Sequence, residues 1–197
     1  MPKKESGKGA ASSFVTRAVA LEAYAASIDA TALSAQEKTW AYEGALIKLA
    51  VGFEKFMLDA LIAATNSDTQ QMSQTLGVGF PKHLTDEVCK YIVTRGKYFD
   101  FKGRDGLLGK IKGLVGNSHY LYVAVQQPKC KSALEQLIAL RNFAAHESSQ
   151  SRRAALQALQ RKNLASAGSY VKRQGRLVSL SKELRALASD IQTAAPY

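Results

Sequence analysis

The stretch between residues 34 and 66 constrains the fold more than any other part of the sequence. Ser34 and Glu37 have the spacing of a capping box, in which each side chain bonds the other residue's backbone, so a helix should begin there. Two neighbouring rows of apolar residues then recur at helical spacing. They are Leu46, Ala50, Phe53, Met57 and Leu61 in the first row, and Ile47, Val51, Leu58 and Ile62 in the second. So wide an apolar face predicts a helix at the centre of the core.

Most of the remaining sequence has the same helical character. Pro128 suits the first turn of a helix that continues to about His146, and Thr85 can cap a helix that ends near Gly96. Further helices are predicted over residues 13–33, 107–115, 152–166 and 180–193. Residues 120–125 are compatible with a strand or a helix. The sequence therefore predicts an all-α fold, a helical bundle of five to seven helices.

The domain organisation follows from length and composition. A chain of 197 residues suits one domain, which we place at residues 13–197, after a small, polar, disordered tail at 1–12. Residues 67–82 contain glycines and a proline and are expected to form a loop. Two cysteines, no apolar block of signal-peptide type and no apolar run of membrane-spanning length predict a soluble protein of the cytoplasm, with no membrane partner.

The net charge of +11 is the first indication of a partner. Lys and Arg number 27 against 16 Asp and Glu, and the whole excess lies in residues 101–197. A one-sided excess of this kind favours a polyanion, either a nucleic acid or an anionic membrane surface. A merely basic, solvated surface is the alternative. The membrane is the weaker option, because the basic stretches lack a continuous apolar face rich in Trp and Phe.

The segment from Leu140 to Glu147 combines polar side chains that could carry chemistry. It places Arg141, Asn142 and His146 at the C-terminal end of an otherwise apolar helix. Asn142 and His146 are four residues apart on one helical face, so the amide could orient the imidazole. Arg141 and His146 are five apart, about 140° around an ideal helix, so a long arginine side chain must bring them to one substrate.

These residue types suit RNA cleavage by transesterification. A histidine can act as base or acid at neutral pH, and a guanidinium can bind two phosphate oxygens. One histidine cannot easily serve both the attacking 2′-hydroxyl and the leaving 5′-oxygen, whereas two copies across a two-fold axis could. The sequence lacks a convincing cluster of metal ligands, so we expect no metal or other cofactor.

Arg141, Asn142 and His146 resemble the ribonuclease motif of the HEPN superfamily, an Arg followed after four to six residues by a His. The segment Gly52 to Phe56 more loosely resembles the early helix of HEPN proteins related to RiboL-PSP proteins. The resemblance implies an all-helical, homodimeric, metal-independent endoribonuclease with a composite active site that cuts single-stranded RNA or tRNA loops. It also suggests a toxin or phage-defence effector, held by an antitoxin or regulatory protein.

Two other interpretations of this motif remain open. The first is a catalytically inactive HEPN module that binds RNA or a nucleotide and acts with a partner such as a nucleotidyltransferase. The second is a surface arginine beside a helix-terminal histidine, which the helix dipole alone would favour. The intact Arg141 and His146 favour the enzyme.

Glu54 is a further candidate for the catalytic site. It interrupts the second apolar row, and no Lys or Arg lies three or four residues away on its own helix. A carboxylate on a core face needs a partner, so we expect Glu54 to brace Arg141 or another cation of the site. A solvated position at the rim of the core is the alternative.

The basic second half of the chain supplies a candidate RNA-binding surface. Arginines beside an aromatic ring can hold phosphates and stack on an unpaired base. The candidate residues are Arg152, Arg153, Arg161, Lys162, Tyr170, Lys172, Arg173 and Arg176.

Overall fold

A computed structural model describes residues 6–196, and this part of the chain contains ten helices and no strand. The all-α prediction is confirmed, but the number of helices exceeds the predicted five to seven. The helices are α1 (Gly7–Asp29), α2 (Ala35–Ser67), α3 (Gln70–Leu76), α4 (Asp86–Thr94), α5 (Gly103–Val115), α6 (Tyr120–Val125), α7 (Pro128–His146), α8 (Ser149–Ala158), α9 (Ala167–Val171) and α10 (Arg176–Ala194).

Three short helices, α3, α6 and α9, account for the excess. Helix α3 lies in the segment expected to be a loop, and α6 resolves the choice between strand and helix at residues 120–125. Local caps stabilise two of them: the His119 side chain accepts a hydrogen bond from the backbone of Leu121, and Ser166 forms a capping box with Ser169. Such caps satisfy the free backbone groups of a helix too short to be found by periodicity.

Helix α2 forms the centre of the core, as predicted. Its capping box is present, with the Glu37 carboxylate 2.8 Å from the Ser34 amide. Every residue of the first apolar row, from Leu46 to Leu61, is buried. The prediction that the second row is buried is wrong in part, because Val51 is 42% exposed and, of its four residues, only Ile62 is fully buried. The covered face extends to the other side of the first row and buries Leu49, Phe56 and Ala60.

The N-terminal segment corrects the expectation of a disordered tail over residues 1–12. Helix α1 begins at Gly7, six residues earlier than predicted, and the Ser6 hydroxyl caps it by accepting a hydrogen bond from the Gly9 amide at 3.0 Å. Ala10 and Ala11 are buried in the core. The small side chains of this segment resemble a polar tail in the sequence, but in the structure they allow the helices to pack closely. Residues 1–5 lie outside the described part of the chain.

Helices α8 and α9 surround the C-terminal end of α7. Helix α8 covers residues 149–158 rather than the predicted 152–166, because Ser148 forms a capping box with Ser151. Helix α9 packs against α2 at Gly168, where an added Cβ would lie 2.2 Å from the Thr39 carbonyl oxygen. The Gly168 amide also donates to the Glu43 carboxylate at 3.1 Å. Glycine is therefore required for this contact.

Candidate active site

Helix α7 positions the motif. Pro128 occupies its first turn, and Leu134, Leu137 and Leu140 are buried against the core. The helix contacts α2, α5, α8 and α10 along its length and ends at His146, and the next residue, Glu147, has a left-handed φ of 46°. The core contacts therefore fix the rotation of the helix about its axis. This rotation turns Arg141 towards α2 and leaves His146 in the last turn.

Two neighbours hold the Arg141 guanidinium. Its Nη2 lies 3.8 Å from the Glu54 Oε1, and its Nη1 donates to the Asn142 Oδ1 at 2.9 Å. The Arg141 side chain is 31% exposed and that of Glu54 only 16%. The distance to Glu54 is that of an ion pair rather than a hydrogen bond, so the guanidinium keeps donors for a further anion.

Glu54 is in a less polar setting than an ordinary surface carboxylate. Burial raises its pKa, the positive charge of Arg141 acts in the opposite direction, and the negative charge of Asp100 raises it further. Since the pKa of Glu54 is raised overall, desolvation outweighs the attraction of the guanidinium. The pair therefore lies at the edge of a region from which water is partly excluded.

A cavity of about 430 Å³ opens beside this pair, between α2, the start of α5, α7 and α8. Glu54, Arg141 and Asn142 form part of its wall. The other lining residues are Asp100, Phe101, Lys102, Gly103, Glu135, Ile138, Ala139 and Ala154. Its volume is within the usual range for sites that bind small ligands. Three carboxylates, of Glu54, Asp100 and Glu135, line the cavity beside the cations of Arg141 and Lys102. An anion would therefore bind next to these two cations and not throughout the cavity.

His146 has different surroundings from Arg141. It is exposed, its imidazole makes no hydrogen bond to any residue between 6 and 196, and it does not line the 430 Å³ cavity. The expected contact between Asn142 and His146 is absent, because the amide oxygen of Asn142 accepts from Arg141 instead. A charge-assisted bond of this kind is stronger than one to a neutral imidazole. The imidazole of one chain is therefore not oriented by that chain.

The predicted RNA-binding residues separate into two groups. Arg161 and Arg176 lie 5.3 Å and 4.4 Å from the centre of the Tyr170 ring, so the structure brings these three together. The Lys172 ammonium, in contrast, donates to the Ala35 carbonyl and the Thr39 hydroxyl of α2, each at 2.6 Å. Lys172 therefore fastens α9 to α2 and is a poor candidate for binding phosphate.

Three other predicted RNA-binding arginines and one lysine are exposed on α8 and the connectors. Arg152 donates to the Leu164 carbonyl at 2.9 Å, and Arg153 donates to the Ser149 carbonyl at 3.3 Å. Arg173 and Lys162 make no ion pair within the described residues. All four charges remain accessible to a polyanion, and none is neutralised by an acidic side chain of the described chain.

Asp100 and Lys102 were missed by the sequence analysis. They belong to a segment in which no pattern was recognised, and only the packing of Phe101 into the core brings them to the Arg141 cavity. Their neighbours in the sequence carry no motif. An acidic residue before and a basic residue after an aromatic one was the only signal, and it is a weak one.

Comparisons with models of known protein families, with curated proteins and with solved structures gave no match for this chain. Within residues 6–196, no helix is long and apolar enough to cross a membrane. The same residues contain no group of three or more His, Cys, Asp and Glu side chains that could hold a metal ion.

Proposed function

We propose that the protein is a metal-independent endoribonuclease of the HEPN type, with an active site composed of two chains. One observation carries the proposal. Glu54 and Asn142 hold the Arg141 guanidinium at a cavity, while His146 stands exposed and unpaired at the end of the same helix. A fixed cation and an available imidazole are the two groups that phosphodiester transesterification needs.

The reaction assigns one role to each side chain. One His146 imidazole takes the proton of the ribose 2′-hydroxyl, whose oxygen attacks phosphorus. The bond from phosphorus to the 5′-oxygen breaks, and a protonated second imidazole supplies the proton to this leaving oxygen. Arg141 binds the two non-bridging oxygens, where negative charge accumulates. The products are a 2′,3′-cyclic phosphate and a 5′-hydroxyl.

A second copy of the chain supplies the second imidazole. Within one chain, Arg141 lines the cavity whereas His146 does not, and only one of the chain's three histidines belongs to the motif. A single chain therefore lacks the second imidazole that the proposed reaction needs. Two exposed C-terminal ends of α7 that meet across a two-fold axis would bring both pairs to one phosphate. The active form in this proposal is a homodimer.

The substrate in this proposal is single-stranded RNA or a tRNA loop. Tyr170 and the two guanidiniums near its ring, those of Arg161 and Arg176, would supply stacking and phosphate contacts to an unpaired nucleotide. Binding should therefore weaken strongly with salt, and a flat salt response would count against this surface. A toxin or phage-defence role, restrained by an antitoxin or regulatory protein, completes the proposal.

Cleavage of total RNA by the purified protein, with a chelator present, tests this function directly. Wild type should produce fragments with cyclic phosphate ends, and the Arg141→Ala and His146→Ala variants should not. His83→Ala is the matched control, because this exposed histidine lies in a loop and bonds only the Asn66 carbonyl. Binding of RNA without any cleavage by wild type would support the alternative, an inactive HEPN binding module.

A further inference from the structure

A second groove, of about 420 Å³, lies between α3, α4 and α5, outside the candidate active site. Its walls are mainly apolar, and one of them is the backbone of α5 at Gly106, Gly109 and Gly113. An added Cβ at Gly109 or Gly113 would meet nothing within 4 Å. The remaining lining residues are Met72, Thr75, Leu76, Ile92, Val93, Thr94, Arg95, Lys110 and Leu114. A flat ring could therefore approach the helix backbone closely.

The charged residues of the groove are all basic. Arg95 and Lys110 line it, no acidic residue does, and neither cation forms an ion pair with any residue from 6 to 196. Lys110 lies 5.5 Å above the centre of the Phe99 ring, which holds the ammonium at the groove. Residues 90–112 contain seven basic and two acidic side chains. The charge complements an anion with an apolar part.

Two exposed tyrosines adjoin these cations in the sequence. Tyr91, 67% exposed, lies one helical turn before Arg95, and an added Cβ at Gly96 would lie 3.1 Å from its ring. Tyr98 is 98% exposed, although large aromatic side chains are normally covered. Exposed aromatic rings next to unpaired cations are the usual means of binding unpaired bases together with their phosphates.

The groove is continuous in the chain with the Arg141 cavity. Helix α5 begins at Gly103, which lines that cavity, and its residues from Gly106 to Gly113 line the groove, so the two adjoin the same helix within about 15 Å of its length. Arg95 belongs to the groove and Lys102 to the Arg141 cavity. The exposed Lys97 and Tyr98 lie between them in the sequence.

We propose that this groove binds single-stranded RNA a few nucleotides away from the scissile phosphate. One base lies against the α5 glycines, Arg95 and Lys110 bind the adjoining phosphates, and Tyr98 stacks on a base between the two cavities. This proposal rests on the proposed function in one respect: the RNA strand that binds in the groove also reaches Arg141. It assigns RNA contacts to a region in which the sequence analysis saw none.

Equilibrium binding in the His146→Ala background tests the groove without cleavage. The probe is a fluorescent 12-nucleotide single-stranded RNA, with a duplex of the same sequence for comparison. Arg95→Asn removes the charge and suits the left-handed backbone at φ 53°, and Gly113→Leu fills the groove. Each should weaken single-strand binding about tenfold, while Gly113→Ala and duplex binding stay unchanged. Unchanged single-strand binding in both variants would overturn the proposal.

Turnover separates a failure of the groove from a failure of the proposed function. With His146 intact, Arg95→Asn and Gly113→Leu should leave cleavage of a dinucleotide unchanged and raise the KM for long RNA about tenfold. Loss of binding in a protein that never cleaves RNA would support the groove and refute the enzyme. Full competition by a mononucleotide at micromolar concentration would overturn the proposal, since it would identify a free nucleotide as the ligand.

Discussion

The two residues of the motif on α7 are treated very differently by the fold. Arg141 lies at a cavity wall, with Glu54 and Asn142 around its guanidinium. His146, little more than one turn later, is exposed, and its imidazole forms no hydrogen bond or ion pair within the described chain. In the proposed mechanism, one chain therefore holds the guanidinium that binds the phosphate but does not orient the imidazole that transfers the proton. Arg141 substitutions should therefore affect stability and function together, and His146 substitutions function alone.

The largest expected effect is on His146→Ala. Loss of a general acid or base reduces rates by about 10²–10⁴. Thermal unfolding should remain within about 1 °C of wild type, because the side chain is exposed and unpaired. The measurement is cleavage of a labelled RNA beside a melting curve. A marked fall in the melting temperature would show that the His146 side chain contributes to stability, as that of Arg141 is expected to do.

Arg141→Ala should lower the free energy of unfolding by about 1–2 kcal/mol, because it leaves the half-buried Glu54 carboxylate without its counter-charge. The matched control is the double variant Glu54→Gln with Arg141→Ala, which removes both charges and should recover most of the loss. Urea unfolding of the two proteins measures the difference. Equal destabilisation of the single and double variants would mean that the guanidinium contributes packing and not charge.

Glu54→Gln should reduce cleavage about tenfold, equivalent to about 1.4 kcal/mol of transition-state stabilisation, since Arg141 would lose the charge that orients it. Wild-type activity in this variant would remove Glu54 from the site. Glu54→Asp shortens the side chain by one methylene but keeps the charge, so its rate of cleavage should lie between those of the wild type and Glu54→Gln.

The raised pKa of Glu54 makes the difference in stability between wild type and Glu54→Gln depend on pH. Because the pKa of Glu54 in the folded protein lies above its ordinary value of 4.5, the free energy of unfolding of the wild type falls as the pH rises from the ordinary pKa through the folded one. Glu54→Gln has no such loss. Its free energy of unfolding should therefore rise relative to that of the wild type between pH 4 and pH 7. Urea unfolding at both pH values measures the sign of this change. A relative stabilisation of the wild type at the higher pH would mean that the attraction of Arg141 outweighs the desolvation of the Glu54 carboxylate.

Asn142→Ala has the smallest expected effect. Its oxygen accepts one hydrogen bond from Arg141 at the edge of the cavity, so cleavage should fall about threefold to fivefold, with little change in stability. Kinetics on a short RNA measure it, and Asn142→Asp, which keeps the acceptor, is the control. A loss as large as that of His146→Ala would mean that Asn142 contacts the substrate.

Local signals in the sequence were sufficient for several parts of this structure. The Ser34 and Glu37 capping box, the buried row from Leu46 to Leu61, and the bounds of α7 at Pro128 and His146 all depend on residues within a few positions of one another. The approach of Glu54 to Arg141 was also expected, from the absence of a partner on its own helix. Here the cost of burying a charge predicts a tertiary contact.

Other parts required knowledge of which helices pack together. Residues 7–12 have the composition of a tail, and only the neighbouring helices make their small side chains part of the core. Lys172 belongs to a basic stretch in the sequence, but α2 engages its ammonium. Asp100 and Lys102 reach the Arg141 cavity through the burial of Phe101, which periodicity does not reveal.

Gly168 has a consequence for any screen of this protein by random mutagenesis. A side chain at this position would collide with the Thr39 carbonyl and detach α9, together with the tyrosine that two arginines flank. Such variants would score as inactive although glycine performs no chemistry. Position 168 is therefore the calibration point for such a screen: the cellular abundance of its variants marks how far misfolding alone can imitate the loss of a catalytic group.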